Sequence, residues 1–139
     1  MRKVFISLII FLVMASESVA GFKVRVPSGW IREDSGSTMV IKSLNTNASV
    51  AVAFNSMGGA ALTDIAERLY IQMKGTDLAQ DSDGDYSFNF VNNSGAQGFV
   101  MVTGEENYYL VISASGFQDD EKIQDDISSI LDSLDYEDE

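Results

Sequence analysis

Three aspartates, Asp81, Asp83 and Asp85, occupy alternate positions in one short polar segment. Calcium-binding loops use this spacing because a tight loop turns alternate carboxylates toward one hard cation. The match to an EF-hand loop ends there, since Tyr86 stands where that loop requires glycine and Asn92 stands where it requires glutamate. The sequence therefore favours a polar hairpin turn with Asp83 and the following glycine at its tip. A calcium site on the three aspartates is the alternative.

Composition argues against most catalytic chemistry. The chain contains no histidine and no cysteine, which excludes the common catalytic triads, thiol catalysis and zinc sites that use histidine. Two carboxylates for hydrolysis of a polymer or a small ester can meet in any fold, but the sequence singles out no such pair. We expect a protein that is not an enzyme and binds no cofactor, with a carboxylate-dependent hydrolase as the alternative.

Residues 1–20 have the layout of a secretory signal peptide. A basic end precedes an apolar run from Val4 to Ala15, and a polar segment with small residues then leads to Gly21. The run is too short for a transmembrane helix, which needs about 20 apolar residues. We expect this segment to be removed, which leaves a periplasmic or secreted chain that begins at Gly21 and keeps no stable transmembrane anchor.

Acidic residues dominate the charge of the chain, whose formal net charge is −12. Such a field repels nucleic acid and anionic lipid surfaces and favours cations or basic partners. We expect residues 21–139 to form a single domain with an acidic tail at 135–139. Its expected partner is another envelope or secreted protein, and no nucleic acid.

The segment that follows Asp119 predicts the best-defined helix of the chain. Its apolar residues recur at the spacing of one helical stripe: Ile123, Ile127, Ile130, Leu131 and Leu134. The other faces are acidic or carry serine, and acidic groups in the first turn interact favourably with the helix dipole. On this polar side we assign Asp120 and Asp126 to a candidate partner-binding face. Charge reversal at these two residues is expected to leave folding intact.

A second helix is expected from Leu62 to Lys74, capped by Thr63 and terminated by Gly75. Runs with alternating or continuous apolar residues predict six strands: 22–26, 38–43, 49–54, 86–90, 97–103 and 109–114. A short polar stretch at 32–37 is expected to be a hairpin loop.

The last predicted strand has apolar side chains on both faces, so it belongs in the middle of a sheet that is covered on both sides. Ala51 and Ala53 offer a face of small side chains that the helix at Leu62–Lys74 is expected to cover. Short connections favour antiparallel pairing. The prediction is an α+β fold in the form of an α/β/α sandwich. Its sheet is six-stranded and largely antiparallel, with one helix on each face, in the order βββαβββα.

Several segments together resemble the PsbP-like superfamily. They are the Val24-x-Val26-Pro27-x-Gly29-Trp30 opening, the Val50-Ala51-Val52 strand, the aromatic strand Tyr86–Phe90, and the closing strand Tyr109–Ala114 with its helix Ile123–Leu134. That superfamily includes the extrinsic PsbP subunit of photosystem II, a nuclear-transport factor that binds the GTPase Ran, and small exported bacterial proteins. The resemblance implies an α/β/α sandwich and a binding or accessory role without catalysis. The photosystem role does not carry over, because the docking and metal-linked residues of that subunit have no counterparts in this chain.

Overall fold

A computed structural model of the chain describes residues 21–105, 107–117 and 120–137. The predicted signal peptide, the predicted helix start at Asp119 and the end of the acidic tail lie outside these ranges. The described elements follow in chain order: β1 (Gly21–Lys23), β2 (Trp30–Ser35), β3 (Thr38–Ser43), β4 (Ser49–Ser56), α1 (Leu62–Gln72), β5 (Thr76–Gln80), β6 (Tyr86–Val91), β7 (Gln97–Gly104), β8 (Tyr108–Ser115), α2 (Glu121–Ser133) and β9 (Asp135–Glu137).

Seven of these strands form one sheet in the spatial order β2-β3-β4-β8-β7-β6-β5, and every neighbouring pair is antiparallel. The mixed α+β class and the antiparallel sheet are therefore as predicted. β8 lies between β4 and β7 in the middle of the sheet, as its two apolar faces require. The strand count and the element order differ from the prediction, because the sheet has seven strands and two further strands pair apart from it.

The differences lie at the edges of the sheet. β2 and β5 are the two edge strands, and most of their side chains are exposed. An edge strand on an open surface needs no apolar periodicity, so the hydrophobic pattern of the sequence does not identify it. The expected loop at 32–37 is largely strand β2 and its hairpin. The expected strand at 22–26 is also wrong as a member of the sheet, because only Gly21–Lys23 is paired, with β9.

One face of the sheet is covered by α2. Its buried residues Ile123, Ile127 and Ile130 share a core cluster with Leu134. The sheet contributes alternate side chains of β2, β3, β4 and β8 to the same cluster: Trp30, Met39, Ile41, Val50, Val52, Leu110, Ile112 and Ala114. Full burial of each large side chain is worth about 1.5–3 kcal/mol, so this cluster is the main source of stability for that half of the molecule.

The opposite face is covered by α1, over β6 and β7. Ile65 and Ala66 of the helix share a second cluster with Phe88, Val100 and Val102. Val100 and Val102 alternate along β7 with residues that face the α2 side, so the two clusters lie on opposite faces. The expectation that this helix covers Ala51 and Ala53 is wrong, because α1 lies over the other half of the sheet.

The ends of α1 also differ from the prediction. Its N-cap is Ala61, without a side-chain cap hydrogen bond, and the Thr63 hydroxyl instead bonds with the hydroxyl of Tyr86. The left-handed residue at the C-terminal end is Lys74, with φ of 55°. Gly75 follows it and donates its backbone N–H to the Tyr70 carbonyl at 2.8 Å. Glycine is required there for close approach, since an added Cβ would lie 2.5 Å from Phe88 Cδ1.

The N-terminal and C-terminal segments of the described domain form a small separate ladder. β1 and β9 pair antiparallel with Gly21 opposite Glu137 and Phe22 opposite Tyr136. The first part of the expected acidic tail is therefore a paired strand, and its last two residues lie outside the described ranges.

Candidate functional site

The acidic segment at 81–85 is the hairpin turn between β5 and β6. Asp81 Oδ1 accepts hydrogen bonds from the backbone N–H groups of Asp83 at 2.9 Å and Asp85 at 3.0 Å. The Asp81 N–H donates to the Asp85 carbonyl at 2.9 Å, and Gly84 adopts φ of +88°. One oxygen of the Asp81 carboxylate is thus directed onto the backbone of its own turn, which is the behaviour of an aspartate that stabilises a turn.

A second turn, between β6 and β7, has the same geometry without any acidic residue. Asn92 Oδ1 accepts from the N–H groups of Ser94 and Ala96, both at 2.9 Å, and the Asn92 N–H donates to the Ala96 carbonyl at 2.8 Å. Gly95 takes the left-handed position with φ of +87°. This turn geometry therefore does not depend on acidic side chains.

Within the described ranges, no three acidic, histidine or cysteine side chains converge as a metal site. The turn geometry accounts for the aspartate at the first position, and the calcium site on Asp81, Asp83 and Asp85 stays an alternative hypothesis. Calorimetric titration with calcium tests it, since absence of heat at about millimolar metal, the weak end of calcium sites, would dispose of it.

The two aspartates assigned to the partner face have structural contacts. Asp120 is the N-cap of α2, and its Oδ1 accepts from the Ile123 N–H at 3.1 Å. Asp126 Oδ2 accepts from the indole Nε1 of Trp30 at 2.9 Å, and Lys122 Nζ donates to the same carboxylate at 3.1 Å. The Asp126 side chain is only 15% exposed. Charge reversal at either position removes these contacts, so we now expect it to destabilise the fold, whereas the sequence led to the expectation that folding would be left intact.

The environment of Asp126 favours its charged form. Burial acts to raise the pKa of this carboxyl. The hydrogen bonds from Trp30 and Lys122, together with the charge of Lys122, act in the opposite direction and outweigh burial. The pKa of Asp126 consequently lies below its ordinary value of 3.8. At neutral pH the charged Asp126 carboxylate therefore connects α2 to the start of β2 through its hydrogen bond from Trp30.

A shallow depression of about 360 Å³ lies along the polar side of α2. Its lining residues are Arg25, Asp125, Ser128, Ser129, Asp132 and Ser133. The Arg25 N–H donates to Ser133 Oγ at 2.7 Å, which fixes the N-terminal segment beside the helix. Asp125 and Asp132 are exposed. We call this surface the acidic face of α2.

Sequence reasoning did not single out the residues of the acidic face. Asp125, Ser128 and Asp132 recur at intervals of three and four residues along the polar side of the helix, so helical periodicity contains the signal for them. Arg25 could not be found in this way, because only the tertiary fold places it beside residues about a hundred positions later.

Asp125 and Asp132 are seven residues apart on the polar side of α2, or about 10 Å along the helix axis. Their exposed carboxylates are acceptors for a cationic or hydrogen-bonding surface.

None of the helices in the described ranges is both long and apolar enough to cross a membrane.

The fold is similar to a known structure although the sequence is divergent. No family model matches the chain, and no curated protein matches it. Among solved structures, the chain is similar to the crystal structure of LpqN, which is involved in cell envelope biogenesis of Mycobacterium tuberculosis. The TM-score is 0.57 and the sequence identity is 12%, with 86% of this chain and 85% of that chain covered. At this identity the similarity establishes a shared fold.

Proposed function

We propose that this chain is an exported, non-enzymatic accessory domain of the PsbP-like superfamily that binds another envelope or secreted protein. The observation that carries the proposal is the similarity of nearly the whole fold to LpqN, a protein involved in cell envelope biogenesis. At 12% identity the similarity concerns the architecture alone, so the role is argued from this chain's own surface.

The N-terminal sequence supports export. Residues 1–20 carry a basic end, a short apolar run and small residues before Gly21, as signal peptides do. Expression of the whole chain in a host with a general secretory pathway tests this part. We expect the exported protein to have Gly21 as its first residue by intact-mass measurement. A cytoplasmic, unprocessed product would contradict export.

The acidic face of α2 supports protein binding. Asp125 and Asp132 are exposed beside Arg25, and serine hydroxyls lie between them. Such a surface offers carboxylate acceptors for lysine or arginine side chains of a partner and one guanidinium donor in return. Asp120 and Asp126 contribute to this contact indirectly, because their hydrogen bonds fix the start and the rotation of the helix.

Binding can be tested with charge reversal at exposed positions only. The double variant D125K/D132K changes the acidic face, and D64K/E67K makes the same change in charge on exposed positions of α1. Both should keep the circular dichroism spectrum of the parent. We expect cross-linking in native envelope extract at low salt to give one identifiable product with the parent and with D64K/E67K, and to lose it with D125K/D132K. Loss with both variants would indicate a nonspecific effect of net charge and would contradict a role for this face.

A further inference from the structure

The seven-stranded sheet is wider than the helix that covers its α1 side. Neighbouring strands lie about 4.8 Å apart, so the sheet is about 29 Å across, whereas a helix is about 10 Å wide. α1 lies over β6 and β7, toward one edge of the sheet. The half of this face that β2, β3 and β4 form is therefore without a covering helix in the part of the chain that the structure describes.

The centre of that uncovered half is apolar. Val111 packs against the α1 cluster and lies opposite Ala53 on β4, so both face the α1 side. Alternation along β4 and cross-strand pairing extend the same face to β3 and β2. We define the open patch as the apolar residues of these three strands on this face: Ile31, Val40, Ala51 and Ala53. Neither core cluster of the described residues includes these four, and Ile31 is 37% exposed.

α1 has an exposed strip on the side that faces away from the sheet. Its members recur at the spacing of one helical stripe, opposite the buried Ile65 and Ala66. We define this outer stripe by its four exposed residues: Asp64, Glu67, Arg68 and Ile71. Ile71 is 73% exposed, which is the largest exposed fraction among the large apolar side chains of the described ranges. The α1 side of the molecule therefore has two surfaces with apolar groups in contact with water.

We propose that two copies of this chain associate, with the outer stripe of each copy lying on the open patch of the other. A two-fold axis makes this contact twice, so every outer stripe and every open patch is covered. The two α1 helices then form a middle layer between two sheets, and each sheet obtains the second helix that its α1 side lacks. Burial of Ile71 against Val40 and Ala51 supplies the apolar part of the contact.

The charges of the two surfaces are complementary. Lys42 Nζ lies 3.1 Å from Glu33 Oε1 beside the open patch, and both side chains are exposed. On the outer stripe, Glu67 and Arg68 are exposed and form no ion pair within the described ranges. Each surface can thus offer an acidic and a basic group to the other, Glu67 to Lys42 and Arg68 to Glu33. The acidic face of α2 lies on the opposite side of the sheet and does not face the second copy.

The available area sets the expected strength of the dimer. The open patch extends about 14 Å across its three strands and about 17 Å along them, which gives about 240 Å². Each copy buries one open patch and one outer stripe of similar size, so the interface totals about 1,000 Å², at the lower end of specific interfaces. We therefore expect a reversible dimer with a Kd of about 50 µM.

Sedimentation velocity tests the association with the protein recovered from the secretory host, over about 5–500 µM at about 0.15 M salt. I71D places a charge in the outer stripe. V91D is the matched control, because Val91 is 59% exposed and lies outside both surfaces. We expect the parent and V91D to become dimeric over this range and I71D to need at least about tenfold more protein. Both variants should keep the circular dichroism spectrum of the parent, since both side chains are exposed.

Cross-linking tests which surfaces meet. The chain has no cysteine, so a single cysteine can be placed on each surface. In an equal mixture of I71C and V40C copies, a short bismaleimide should join residue 71 of one copy to residue 40 of the other, as identified by mass spectrometry of the linked peptides. A mixture of I71C and V91C copies should give no such link between positions 71 and 91.

Two results would overturn the second copy as the occupant of the open patch. One is a parent that stays monomeric at about 500 µM, ten times the expected Kd. The other is equal weakening by I71D and V91D, which would assign the association to net charge. D125K/D132K should form dimers as the parent does even where it loses the partner of the α2 face, so this inference and the proposed function can fail separately.

Discussion

The two helices cover opposite faces of one sheet, yet they are fixed by different contacts. α2 begins at a side-chain cap on Asp120, and Asp126 accepts a hydrogen bond from Trp30. Near its end, Ser133 accepts a hydrogen bond from the Arg25 backbone. The contacts with Trp30 and Arg25 join the last helix to the first part of the chain, so α2 holds distant segments together.

α1 is held mainly by apolar packing and by the close approach of its C-terminal end. Its N-cap, Ala61, has no side-chain cap bond, and Lys74 takes the left-handed position after its last turn. Ile71 is 73% exposed and contributes little burial. Close packing between Gly75 and Phe88 therefore contributes more to the stability of this helix than polar contacts do.

α2 carries two kinds of acidic residue. Asp120 and Asp126 have partners within the fold, whereas Asp125 and Asp132 are exposed around the shallow depression. Net acidity alone does not distinguish them. A test of partner binding must use Asp125 and Asp132, because changes to Asp120 and Asp126 are expected to alter folding as well.

The largest effect is expected from I130A in the core beneath α2. Ile130 is fully buried, and truncation of a buried isoleucine to alanine costs about 2–5 kcal/mol through lost burial and cavity formation. The free energy of unfolding from urea titration measures it. I71A on α1 is the matched control, and a change within about 0.5 kcal/mol is expected there because the side chain is exposed. Equal losses in the two variants would contradict the assigned burial.

G75A tests whether the α1 half depends on close approach. The added Cβ would lie 2.5 Å from Phe88 Cδ1 and 2.9 Å from Tyr70 Cδ1, and overpacking of this kind costs about 1–3 kcal/mol. Thermal and urea unfolding should both record the loss. G36A lies at a turn where an added Cβ has open space around it. Its loss of stability therefore measures only the backbone strain of a left-handed glycine position, without overpacking. If G75A matched the parent in stability, the packing at the end of α1 would be looser than described.

D126N tests the contacts of Asp126 with Trp30 and Lys122 and their dependence on pH. Asparagine can still accept from Trp30 but gives up the charge that attracts Lys122, so we expect a loss of about 1–2 kcal/mol near neutral pH. The pKa of Asp126 is depressed in the folded state, so its stabilisation is present above the unfolded pKa of about 4 and is lost as pH falls through the folded pKa.

Urea unfolding at about pH 7 and about pH 3 should therefore show the gap between the parent and D126N narrowing in acid. D125N, an exposed neighbour on the same helix, should leave stability nearly unchanged at both values. A gap that stayed constant with pH would assign the effect of D126N to packing and not to charge.

The smallest effects concern the helix starts, and they act in opposite directions. D120A removes the cap of α2 and should cost about 1 kcal/mol. A61D supplies a cap to α1, whose N-cap backbone is already extended, and should add about 0.5–1 kcal/mol. Unfolding midpoints measure both. No gain from A61D would mean that the start of α1 already satisfies its N–H groups in another way.

Much of the interior could be predicted because burial leaves a periodic pattern. The strands at 38–43, 49–56, 86–91, 97–104 and 108–115 and the apolar stripe of α2 all bury large side chains at regular intervals. β2 and β5 escaped prediction because edge strands can be polar. The cap at Thr63 was a wrong prediction, since its hydroxyl bonds to a strand that lies far away in sequence.

The candidate site was less predictable than the fold. The spacing of Asp81, Asp83 and Asp85 is common to metal loops and hairpin turns, and only the hydrogen bonds of the backbone favour the turn. In the same way, the periodicity of α2 placed Asp126 on a polar face. Its contact with Trp30 depends on where β2 begins in space.

The sequence by itself determined the α+β class, the central strands, the two helices and the acidic character of the chain, because these follow from local periodicity and composition. Tertiary structure alone decided which half of the sheet each helix covers and which aspartates are structural. It also paired Gly21 with the C-terminal segment. The contact of Asp126 with Trp30 and the pairing of Gly21 join residues about a hundred positions apart, and local sequence patterns carry no record of such contacts.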